Sequence, residues 1–128
     1  MFRIFLVTGA LFSCAAVVCR ALSYHTLRLE LTASRTMEQF NLAADYLLVH
    51  GLALVVLARL AETRPCRCFT ASGWALLVGS LCFQGTVIAK CFVDLGPAGA
   101  LTPVGGVLLM LGWLLLALGG LGRREGES

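Results

Sequence analysis

The chain has 128 residues, 59% of them hydrophobic and only 13% charged, with a net charge of +3 and a mean hydropathy of +0.88. Soluble domains carry charge on nearer a quarter of their residues, and a chain this short has too little interior to hide so much apolar surface. An ordinary soluble domain is therefore excluded, and without a basic stripe interleaved with aromatics so is a nucleic-acid interface. Transmembrane helices of about 20 residues fit four times into this length with short loops between them. The expectation is an all-α, four-helix transmembrane bundle of up-down topology, with residues 1–128 forming one integral membrane domain.

The first predicted span covers residues 4–22, entered after Arg3, with Arg20 near its far end, where a long side chain can snorkel to the headgroups. The alternative is a signal peptide, with Arg3 as the positive n-region and Leu11-Phe12-Ser13-Cys14 as a faint cleavage box. Bulky Phe12 and the continued apolar run through Ala15, Ala16, Val17 and Val18 favour a span. Ser23 to Gln39 is polar, and Thr36 stands three residues before Gln39, the spacing of a capping box.

The second span is expected over residues 40–61, shortened in its uncharged core by Asp45. It ends in a hydrophilic break holding Glu62, Arg64, Pro65 and Arg67, where proline forbids easy helix continuation. The third, residues 69–89, carries Ala71, Ala75 and Gly79 at intervals of four, predicting a face for close packing. A turn with Gly96, Pro97 and Gly99 precedes the fourth, residues 101–121. There Gly105, Gly112 and Gly119 recur every seven residues as one stripe, with Gly106, Trp113 and Gly120 offset by one. These glycines read as sites of helix approach, since no phosphate-binding strand-to-helix pattern surrounds them.

Orientation follows from basic residues in short loops. Arg3, Arg59, Arg64, Arg67, Arg123 and Arg124 share one side, and Arg20, Arg28, Arg35 and Lys90 the other, a six-to-four division. This predicts a cell (inner or plasma) membrane protein with both termini in the cytoplasm.

Few residues carry chemistry. His50 lies nine residues before Arg59, hence roughly 13 Å from that helix end and close to the membrane midplane. An ionisable group at that depth is a functional candidate by default. Tyr46 precedes it by four, where its hydroxyl could approach the imidazole, and Gln84 falls at similar depth on the antiparallel third span. The expectation is an intramembrane polar cluster of Tyr46, His50 and Gln84, either fixing helix register through hydrogen bonds or lining a proton or solute path. Asp45 sits toward the outer interface, where solvent or Arg20 can satisfy it.

Of six cysteines only Cys66 and Cys68 form a compact pair, flanked by Arg64 and Arg67. Two thiols near cations are weak candidates for metal binding or redox exchange, but a zinc site wants two more ligands at characteristic spacing. No nucleophile triad, paired-carboxylate site or nucleotide loop can be assembled, so neither enzymatic activity nor a cofactor is expected.

Two segments are similar to those of a known family. Phe40-x-x-Ala43-x-x-Tyr46-x-x-x-His50-x-Leu52-Ala53-Leu54, and Gly99-Ala100-Leu101-Thr102-Pro103-Val104-Gly105-Gly106 followed by Gly112-Trp113, resemble the signature stretches of the YgdD and transmembrane protein 256 family of small membrane proteins, the domain of unknown function 423. Ser72-Gly73-Trp74, Phe83-Gln84-Gly85-Thr86 and His25 extend the likeness over nearly the whole chain. The chain departs from it at Leu47, Leu48 and Val49, where the family tends to polar or aromatic residues, and at Asp45, where it tends to a basic one. The resemblance implies a four-helix integral membrane protein and offers no known reaction.

Three function classes follow: a non-enzymatic protein that packs against a second copy or a larger membrane partner in the bilayer, a small-solute or proton pathway at His50, and thiol redox or metal handling at Cys66 and Cys68.

Overall fold

The structure, a computed structural model, describes residues 1–122; the predicted contribution of Arg123 and Arg124 lies outside the described residues. Four helices are long and apolar enough to cross a membrane, as the hydropathy pattern requires. They are α1 (Phe2–Tyr24), α3 (Met37–Thr63), α4 (Arg67–Lys90) and α5 (Leu101–Leu121), and a short α2 (Arg28–Ala33) lies between the first two. The chain is a multi-pass helical membrane protein.

Each boundary has a local cause. The α3 helix stops at Thr63, where the Arg64 amide still donates to Leu60 O at 2.8 Å and Pro65 then has no amide hydrogen to offer. The α5 helix follows directly on a 3-10 turn, Gly96–Ala100. That turn opens with Gly96 at φ +52°, its amide donating to Asp94 Oδ1 at 2.9 Å. Pro103 falls in the first turn of α5, where a missing amide hydrogen costs little.

The polar segment from Ser23 to Gln39 holds a short helix of its own: α2 buries Leu31 completely against Phe40 and Cys91. A single apolar anchor in six residues leaves no readable period, so the sequence conceals it. Thr36 does precede α3, but its hydroxyl pairs with Ser34 Oγ at 2.6 Å, and no side chain caps the helix. The turn before α3 occupies that hydroxyl instead. Arg35 takes a left-handed φ of 57°, and the amides of Thr36 and Arg35 donate to Leu31 O and Thr32 O at 3.0 and 3.2 Å. This is a Schellman C-terminus with arginine where glycine is usual.

The helices pack in a chain of pairs: α1 on α3, α3 on α4, and α4 on α5. The α1 helix also meets α4 where Phe5 covers Gly73 and sets its ring edge-on to Trp74, centroids 5.6 Å apart. Among the described residues, α5 makes no backbone approach to α1 or α3. Lipid tails are as apolar as leucine, so helix association here depends on close fit rather than water exclusion. Two seams provide it. A β-carbon on Gly9 of α1 would lie 2.6 Å from Gly51 O of α3, and one on Gly51 would lie 2.8 Å from Gly9 O. Between α4 and α5, added β-carbons on Gly79 and Gly105 would lie 3.1 and 2.8 Å from each other's carbonyl oxygens.

The predicted stripe of Gly105, Gly112 and Gly119 is this second seam, with Leu76 over Gly112 and Phe69 over Gly119. The predicted α4 face is not: Ala71 is exposed and Ala75 only half-buried. Phe69, Ser72, Leu76 and Gly79 meet α5 instead, because the spacing three, four, three follows the 3.6-residue turn more closely than steps of four. Ser72 Oγ donates to Gly112 O at 2.7 Å and ties the seam.

Candidate functional site

His50 sits on the inward face of α3, shared with Leu47, Gly51 and Leu54, and only 6% of its surface is exposed. Its ring faces groups from three helices. Nδ1 lies 2.6 Å from Tyr46 O, one turn back on α3, and 3.0 Å from the Gln84 amide on α4. Nε2 receives the indole N–H of Trp113, from α5, at 3.1 Å.

The donor and acceptor inventory fixes the proton. An indole nitrogen can only donate, so Nε2 must be a bare acceptor. A carbonyl can only accept, so Nδ1 carries the hydrogen and donates to Tyr46 O. The ring is therefore neutral, in the Nδ1–H form. A proton added at Nε2 would set N–H against N–H and break the contact with Trp113. The structure sets the Gln84 amide nitrogen against Nδ1 and leaves its carbonyl oxygen unpartnered; a half-turn of the side-chain terminus exchanges the two and gives the Nδ1 hydrogen a second acceptor.

The structure brings His50 and Gln84 together but gives Tyr46 a different part from the one the sequence suggests. Its backbone carbonyl, not its hydroxyl, meets the imidazole. The tyrosine ring turns outward, stacks on Phe83 with centroids 5.9 Å apart, and stands edge-on to His50. Trp113, noted in the sequence only within a glycine-rich stripe and a family signature, is the third member of the node. The signal that finds it is chemical: an indole N–H deep in a membrane seeks an acceptor, and few polar side chains lie at that depth.

Other positions fall as follows. Phe40 and Ala43 are buried on α3. Asp45 Oδ1 pairs with Arg20 Nε at 3.3 Å, joining α3 to α1. Thr102 Oγ1 lies 2.6 Å from Thr86 Oγ1 and accepts from Lys90 Nζ at 2.9 Å, fastening the start of α5 to α4. Pro103 follows it in the first turn, Gly105 and Gly112 lie in the α4–α5 seam, and a β-carbon on Gly106 would lie 3.7 Å from the Phe83 ring, an ordinary contact. Cys66 and Cys68 lie together at the N-terminal end of α4, far along the chain from the node. Among the described residues, no three of His, Cys, Asp and Glu converge.

Comparison with known proteins agrees with this architecture. The model of a family described as "Protein of unknown function (DUF423)" matches residues 19–106. A UPF0382 membrane protein of Staphylococcus saprophyticus is 32% identical over 117 residues, covering 91% of this chain and 96% of that protein. Its counterpart in Staphylococcus epidermidis is 33% identical, and the one in Staphylococcus haemolyticus 30% identical, each over 116 residues that cover 91% of this chain and 93% of the relative. No solved structure matches the chain.

Proposed function

The chain belongs to the DUF423 family of membrane proteins, and within that family we propose that it is a non-enzymatic helix-packing protein that associates with a second copy of itself or with a larger membrane partner. The observation that carries this reading is the saturation of His50. This histidine, expected near mid-membrane, has both ring nitrogens engaged by α3, α4 and α5. A proton carrier needs a nitrogen free to take up and release its load, whereas a register pin needs every position filled.

The charge pattern supports an inner- or plasma-membrane protein with both ends of the chain in the cytoplasm. The outer helices α1 and α5 carry long apolar side chains outward, among them Val7, Leu11 and Val17 on α1 and Val107, Met110 and Leu114 on α5. Such faces suit lipid and helix neighbours alike. Cross-linking in native membranes, followed by purification in mild detergent, tests the association. A discrete cross-linked species containing a second copy or one membrane protein in fixed ratio is expected; a chain recovered only as a monomer would contradict it.

A further inference from the structure

The α3–α4 loop holds a second arrangement that shares no residue with the His50 node. Pro65 interrupts the chain, and Cys66 follows in an extended conformation, φ −138° and ψ 135°, as the N-terminal cap of α4. Its Sγ accepts the Cys68 backbone N–H at 3.4 Å. That donor, at the positive end of a helix, holds the Cys66 thiol below its ordinary value. Cys68 itself stands two residues on, in the first turn of α4. Cys66 and Arg67 also line an open-sided hollow of about 650 Å³, together with Phe2, Pro65 and Thr70. One thiol, a cation and room for a small molecule thus meet at one point, with the second thiol two residues away on α4 and Arg64 adding a second positive charge to the loop.

We propose that Cys66 and Cys68 form a dithiol that exchanges with low-molecular-weight disulfides bearing carboxylates, with Cys66 attacking and Cys68 resolving. The Cys66 thiolate gives its electron pair to one sulfur of the small disulfide, whose S–S bond breaks, and the departing thiolate takes up a proton. Cys68 then loses its proton, attacks the Cys66 sulfur and expels the second small thiol. The protein pair is oxidised by two electrons, and one disulfide becomes two thiols. Cys66 is the attacking member because it is the helix cap and lines the hollow. The carboxylates face Arg67.

The test uses the full chain in lipid nanodiscs with glutathione disulfide as probe, followed by alkylation and peptide mass mapping. Wild type should form the Cys66–Cys68 disulfide and release two glutathione thiols per chain. Cys68→Ser should retain one glutathione on Cys66, and Cys66→Ser, which keeps a good helix cap, should do neither. Cationic cystamine at equal concentration should react several-fold more slowly. Alkylation of wild-type Cys66 should reach half its maximal rate below about pH 8.5, the midpoint of a free thiol, because a lowered value means thiolate at lower pH. This profile needs no variant to fold. Adducts retained on wild-type Cys66, adducts that favour Cys68 or the intramembrane cysteines, equal rates for the two disulfides, or a midpoint at or above the free thiol would each overturn the proposal. The association of the chain in the membrane is untouched by any of these results.

Discussion

Trp113 on α5 donates its indole N–H to His50 Nε2 on α3 at 3.1 Å, although the backbones of these two helices do not approach each other. Each packs on α4 from its own side, and the two side chains bridge the gap. Trp113→Phe keeps an aromatic ring but leaves Nε2 without a donor, and should cost about 0.6 to 2 kcal/mol, the range for interhelical hydrogen bonds in membranes. His50→Leu should cost a similar amount, and the double variant less than the sum, because both remove one contact. Reversible unfolding in mixed micelles reads these values. Strict additivity would mean that the two side chains are neighbours without being coupled.

Gly112→Leu should destabilise the bundle more than Leu115→Ala. A β-carbon on Gly112 would already lie 2.6 Å from Leu76 Cδ2 and 3.2 Å from its backbone nitrogen, so the added side chain must push α4 and α5 apart, at about 1 to 3 kcal/mol. It also disturbs the carbonyl that accepts from Ser72. Leu115 is only partly buried, and lipid can fill the space that it leaves. Thermal stability in one detergent compares the pair, and equal values would place the glycine stripe against lipid.

Arg35→Gly should stabilise the protein. Arginine at φ 57° holds a left-handed conformation that costs an L-residue roughly 1 to 2 kcal/mol and glycine almost nothing. The Schellman bonds to Leu31 and Thr32 use backbone alone and survive the change. A rise in melting temperature checks this, whereas a fall would show that the guanidinium contributes more than the turn costs.

A reporter active only outside the cytoplasm, fused after Ser128, should stay silent. The expectation rests on the six-to-four division of basic residues. Activity would reverse the topology and move Cys66 and Cys68 out of a reducing compartment.

The four spans were legible because each is a long apolar run closed by charge, proline or glycine, and α5 begins and ends at the predicted residues. The common level of His50 and Gln84 was legible too, since helix rise converts sequence distance into position along antiparallel helices. What the sequence withheld was azimuth. A lone small residue such as Gly9 looks like any other apolar position until Gly51 is known to face it. Whether Tyr46 offers its hydroxyl or its carbonyl depends on a side-chain rotation that stacking on Phe83 decides. The Trp113 contact needed the relative tilt of two helices that never touch through their backbones.

The most direct measurement is proton flux into liposomes reconstituted with wild type and with His50→Gln, which retains one donor and one acceptor in the membrane interior. If His50 pins three helices, both proteins should fold and neither should conduct above protein-free liposomes at any pH. A wild-type flux that disappears in His50→Gln would contradict this, and would make the histidine a carrier rather than a pin.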